Sequence, residues 1–288
     1  MHLHGQRHKP VTLWARQLIR VVRRWLPDRA LVVVGDRGYA ALDLLDAVRP
    51  VATVITRLRL DARLVAPPPP RAPRQNGRPR IVGQRLPTLD QVRANPATAW
   101  TAATLARWYG DHDRRIEYVS GDALWYHTGF VPVPIRWVLI RDPLGKFSTQ
   151  ALLCTDQQTD PVQILLWFAR RWQMEVTFHE VREHLGVETQ RQWSERAIAR
   201  TTPALMGIFS LVTLLAHERY RQQSTDPAPL CVAAWYTKTT PTFSDALALV
   251  RRHLWTQTTF PTSLWKSDSE KVPRALLTHL ADLLCYAA

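Results

Sequence analysis

An α/β fold is predicted for this chain of 288 residues by three features: two short valine-rich runs each preceded by a helix-periodic stretch, a block of alternating segments in mid-chain, and helical periodicity towards the C-terminus. ALVVVGD (30–36) and VATVITRLR (51–59) are continuous apolar runs of the length and β-branched content of strands buried on both faces. VTLWARQLIRVVRRWLPD, from residue 11, and AALDLLDAV (40–48) repeat apolar residues at helical spacing, and the first is stopped by Pro27. Helix, strand, helix, strand is the order of a parallel sheet.

The chain is long enough to bury a proper core, and its 46% hydrophobic content is that of a soluble globular protein. Its 38 lysines and arginines against 24 acids give a net charge of +14, which points to a phosphate-rich partner. Arginine supplies nearly all of it, since the lysines are Lys9, Lys146, Lys238, Lys266 and Lys271 alone. A GC-rich genome accounts for part of that bias but not for the net charge. Arginine forks suit phosphate oxygens and base edges. Cys154, Cys231 and Cys285 are odd in number, widely spaced and without a CxxC pair, which fits a reducing cytoplasm and no zinc site. MHLHGQRHKP has no apolar core and is not a signal peptide. TTPALMGIFSLVTLLA, from residue 201, falls short of the ~20 residues that span a bilayer and reads as a buried helix.

After Asp61 the pattern changes. APPPPRAPRQNGRPR (66–80) holds too much proline for regular structure, and no acid occurs between Asp61 and Asp90, whereas Arg63, Arg71, Arg74, Arg78, Arg80 and Arg85 do. This is an exposed basic arm. GRPR (77–80) resembles a minor-groove arginine hook, which makes Arg78 and Arg80 candidate DNA contacts, although a linker has the same composition. From Trp108 to Thr155, RRIEYVSG, ALWYHTGF, IRWVLIRDP and FSTQALLCTD alternate, with turn signals at Gly121, Gly129 and PLG, and predict an antiparallel meander. Trp108, Trp125 and Trp137 in this block are read first as core residues, and His127 and His179 as structural histidines that could also touch phosphate.

A single long helix is expected over WFARRWQMEVTFHEVREHLGVE (167–188). Arg171, Glu175, His179 and Arg182 follow Phe168 at three, seven, eleven and fourteen residues and share one polar stripe between apolar flanks. By itself that stripe is equally a solvated face laced by weak ion pairs. Further helices are expected over 194–217 and over TFSDALALVRRHLW, the latter capped by Ser244. Asp36 ends the first strand at the carboxyl edge of the sheet, where α/β folds place ligands, although a turn or cap residue reads the same way. Hard oxygen ligands from separate elements are what Mg²⁺ or Mn²⁺ require.

Phe168, Arg171, Glu175 and Arg182, together with VVVGDRGYAALDLL around Asp36, resemble the insertion-sequence transposases of the DDE class, in which a ribonuclease H-like core is interrupted by a β-rich insertion. That family's last catalytic Glu lies in a helix signature Tyr-x2-Arg-x3-Glu-x6-Lys, and its second catalytic Asp ends a buried strand followed by a helix. Phe168 replaces the tyrosine here and Arg182 the lysine. The resemblance implies that Asp36 and Glu175 are catalytic and hold Mg²⁺ or Mn²⁺. It further implies that Arg171 and Arg182 position DNA, and that paired ions activate a water or 3′-hydroxyl for phosphodiester cleavage and strand transfer.

One departure stands out. The family uses three carboxylates, and Asp28 is the only acid before Asp36, in the link entering the same strand. The expectation is a C-terminal portion of a transposase lacking its first strands and first metal ligand. Its partners would be transposon-end and target DNA, together with itself or a full-length transposase. A non-catalytic DNA-binding repressor of transposition is the rival reading. The expected organisation is a partial ribonuclease H-like core over 1–60, the basic arm and β-rich insertion over 61–160, core helices carrying Glu175 over 161–220 and a helical region over 221–288.

Overall fold

The computed structural model describes residues 9–70, 77–109, 111–189, 191, 193–222, 238, 240–257 and 273–286, in two compact units, Met1–Trp172 and Gln173–Ala288. Arg71 and Arg74 of the basic arm, and Cys231, lie outside the described residues.

Unit 1 begins as its periodicity predicts, with α1 (Val11–Trp25), β1 (Val32–Gly35), α2 (Leu42–Val48) and β2 (Thr53–Leu58). β1 and β2 pair in parallel, Val32 opposite Thr53 and Gly35 opposite Thr56. β2 is buried on both faces: Val54 packs with the apolar sides of α1 and α2, Ile55 with α4 (Pro161–Ala169) on the opposite side. β1 is only half-buried, because it forms one edge of the sheet.

The rest of the sheet is antiparallel. β3 (Leu64–Val65), β4 (Thr101–Trp108), β5 (Asp111–Trp125), β6 (Val133–Arg141) and β7 (Gln150–Cys154) complete an order β1-β2-β7-β6-β5-β3, with β4 also on β5. The meander is therefore present, but it opens at Thr101, and through β7 and β2 it is continuous with the parallel pair. RRIEYVSG and ALW are one strand, not two. Gly121 lies inside it, opposite Trp137, whose indole would be 2.7 Å from a Cβ at that position. A glycine that signals a turn in the sequence here lets an aromatic ring lie flat on the sheet. Gly129 and Gly145 do sit in turns at positive φ. Trp108 and Trp125 are buried.

No helix or strand occurs among the described residues of 66–80. The ends of this excursion are nonetheless pinned together: the Gly83 N–H donates to the Ala66 carbonyl at 2.8 Å, the Ala66 N–H to Gln84 at 2.9 Å, and Val65 bridges Arg85. A Cβ on Gly83 would lie 2.3 Å from the Pro67 carbonyl oxygen and 2.9 Å from that of Ala66. Backbone cannot yield there as a flexible side chain would. Gly83→Ala is therefore expected to open the base of the arm and to speed tryptic cleavage after Arg80 and Arg85 several-fold, read by limited proteolysis, with little change in the thermal midpoint.

The expected single helix over 167–188 is two helices. α4 starts at Pro161, with the Asp160 carboxylate accepting from the amides of Val162 and Gln163 (2.8 and 3.1 Å), and ends at Ala169. The amides of Arg170 and Arg171 bond only three residues back, to Trp167 and Phe168. That tight turn closes α4 before α5 (Trp172–Leu185) begins. Phe168, Ile164 and Leu165 anchor α4 in the core of unit 1, whereas α5 buries Val181 alone.

In unit 2, α6 (Glu195–Gln222) packs one stripe, Val212 and Ala216, with Phe243, Leu249 and Val250 of α7 (Phe243–Gln257), and α8 (Arg274–Tyr286) follows. The expectation of a buried helix over 201–216 is corrected. With one neighbouring stripe to cover it, α6 leaves Ile208, Leu211, Leu214 and Leu215 exposed, and at 28 residues it is long and apolar enough to cross a membrane. The cap of α7 is Thr242 rather than Ser244: Asp245, in the first turn, accepts from the Thr242 amide at 2.8 Å.

Candidate functional site

Gly35 and Asp36 end β1 against a single 3₁₀ turn, Arg37–Tyr39. Gly35 is needed for close approach, since a Cβ there would meet the Tyr39 ring at 3.1 to 3.2 Å. The Asp36 carbonyl accepts from the buried Thr56 hydroxyl at 2.7 Å and from the Tyr39 amide at 2.9 Å, which ties the end of β1 to β2. Its side chain makes no capping hydrogen bond, so the cap reading is not realised. The Asp36 carboxylate is instead 64% exposed and lies 3.3 Å from Arg171 Nη1, whose guanidinium also sits over the Phe168 ring at 5.9 Å. Two predicted site residues thus meet in unit 1.

Glu175 and Arg182 belong to unit 2, in the first and last turns of α5. Both are exposed and both suit the helix dipole, and Arg182 pairs with Glu188 at 2.7 Å. His179 pairs with Glu183, and His127 is exposed with its ring edge-on to Trp125. Arg78 and Arg80 are exposed on the arm.

Among the described residues no group of three or more His, Cys, Asp or Glu side chains converges as a metal site would. In kind, Asp36 fits a hard divalent ion. In number it does not, because one carboxylate facing a guanidinium is not the several-oxygen shell that Mg²⁺ or Mn²⁺ takes, and the cation beside it opposes another. No step is therefore routed through a metal. Cys154 offers no ligand either, as burial pushes its thiol up to about 11.

Sequence reasoning missed Arg37, Arg57 and Arg59, and placed Arg63 and Arg85 in the exposed basic arm. An open concavity of about 410 Å³ is lined by Arg37, Arg57, Arg59 and the polar run Ser148–Gln150. A second, of about 520 Å³, is lined by Arg59, Arg63, Arg85 and His127. Arg57, Arg59 and Arg63 fall within one stretch, 57–63, but Arg37 and Arg85 join them only through the fold.

No curated protein matches the chain. Residues 4–117 match the family profile of the DDE superfamily endonucleases, a span that includes β1, Asp36 and the basic arm and ends inside β5, before Arg171, Glu175 and Arg182. Over residues 4–117 the chain is similar to the DDE superfamily endonucleases, which supports a DDE-class transposase-like nuclease.

Proposed function

We propose that the chain acts on DNA as an insertion-sequence transposase component, with a ribonuclease H-like core, Asp36 and Glu175 as the carboxylates that would hold Mg²⁺ or Mn²⁺, and Arg171, Arg182, Arg78 and Arg80 as DNA contacts. The observation that carries this is Asp36, exposed at the carboxyl edge of a parallel strand pair inside the segment that matches the endonuclease family. The residues of the chain have positioning roles. Thr56 and Tyr39 hold the backbone that presents Asp36, and Phe168 holds Arg171 beside it.

The arginine on Asp36 favours a second reading, in which the chain occupies transposon ends, alone or with another transposase copy, and represses without cutting. Nicking of supercoiled plasmid by the full chain in Mn²⁺ decides. Nicking that Asp36→Asn and Glu175→Gln each reduce at least about a hundredfold supports the enzyme. Salt-sensitive DNA binding without nicking supports the repressor. Absence of DNA binding at low salt ends both.

A further inference from the structure

The two concavities of unit 1 share Arg59 and Asp61 and so form one continuous floor. It starts at Arg37, the residue after Asp36, crosses the end of β2 at Arg57 and Arg59, and reaches Arg63 and Arg85 on either side of β3. Its acids are already matched. Asp61 accepts from Arg59 Nε and Nη2 at 2.6 and 2.5 Å, and that hydrogen bonding holds its carboxyl below the usual range. Asp90 pairs with Arg93 at 2.7 Å.

Arg37, Arg57, Arg63 and Arg85 are exposed, and among the described residues none of them forms a salt bridge. Ser148 and Thr149 add neutral hydroxyl donors along the same wall. Arg78 and Arg80 are exposed in the segment whose ends meet at Ala66 and Gly83.

Arg20 and Arg23 of α1 form a contrasting pair. Arg23 donates to the carbonyls of Val51, Leu26, Pro27 and Arg29 and so ties α1 to the strand that follows, and Arg20 reaches the Ala47 carbonyl. Their donors serve the fold. Among the described residues, the side chains of Arg37, Arg57, Arg63 and Arg85 have no such partner.

We propose that this floor is the track of the DNA backbone on unit 1: duplex phosphates lie along Arg37, Arg57, Arg63 and Arg85, which lead the strand to Asp36, while the arm's arginines hold the flank. Binding there is indifferent to sequence, because an open floor of guanidinium and hydroxyl donors reads phosphate rather than base edges. The proposal rests on the DNA-acting reading and adds where the DNA lies.

The test is fluorescence anisotropy of the full chain on a random-sequence 30-base-pair duplex across a salt series. Three proteins are compared: the unaltered chain, Arg57→Gln/Arg63→Gln/Arg85→Gln, and the charge-matched control Arg49→Gln/Arg107→Gln/Arg115→Gln, whose side chains are exposed elsewhere on unit 1. The floor variant is expected to bind at least about tenfold more weakly at 0.1 M salt and to lose about three from the slope of log affinity against log salt. The control should stay within about twofold of the unaltered chain. Equal losses in the two variants, or none in the floor variant, would overturn the track and leave the DNA-acting reading standing. No binding by the unaltered chain would overturn both. Matching thermal midpoints for all three proteins separate lost contacts from lost fold.

Discussion

Replacing Phe168 by alanine is expected to cost unit 1 about 3–5 kcal/mol, read as a fall in the urea midpoint of the full chain at unchanged slope. The side chain is fully buried among Ile55, Leu152, Ile164 and Leu165, and it is the last anchor of α4 before the turn at Arg170. Truncation removes the transfer energy of a phenyl ring and leaves a cavity under the sheet. Arg171→Ala is the informative partner experiment. Its ion pair ends on a carboxylate that is 64% exposed, so loss of that pair should cost under about 1 kcal/mol. Equal effects from the two substitutions would show that the motif's first position acts through the arginine rather than through the core.

That contrast also shows why part of the site was legible in the sequence and part was not. The period of the apolar pattern switches between Val11 and Leu58 just where α1, β1, α2 and β2 do, so the parallel pair and the position of Asp36 follow from local physics. The break between α4 and α5 does not. Ala169, Arg170, Arg171 and Trp172 contain neither glycine nor proline, and the turn is fixed by the tertiary burial of Phe168. The start of α4 is readable in the sequence, since Asp160 followed by Pro161 is a cap and first-turn signal. Gly121 misleads for the opposite reason. Its meaning comes from Trp137 on the neighbouring strand, which no local window contains. The basic floor is harder still, because Arg37 and Arg85 reach Arg57 and Arg63 only once β1, β2 and β3 are assembled.

The wall of that floor depends on a buried ion pair, and its removal should lower the thermal midpoint by roughly 10 °C. Arg114 on β5 donates to the Asp142 carboxylate just beyond the end of β6, and the Asp142 side chain is fully buried. Asp142 also accepts from the amides of Leu144 and Lys146 at 2.9 and 2.7 Å, closing the turn that delivers Ser148–Gln150 to the groove. Burial pushes its carboxyl up, but the two amides and the guanidinium outweigh this and hold it below the ordinary carboxylate value of about 3.9. Asp142→Asn keeps the shape, removes the charge opposite the Arg114 guanidinium and turns one acceptor into a donor facing other donors. A carboxyl depressed in the folded state stabilises above its unfolded value and loses that contribution as pH falls through the folded one. The gap in midpoint between the unaltered protein and Asp142→Asn should therefore be constant from pH 7 to about 5 and narrow steadily below about pH 4. A gap that did not narrow at all on acidification would place the effect in lost packing, because the part that comes from the charge is lost as pH falls through the folded value.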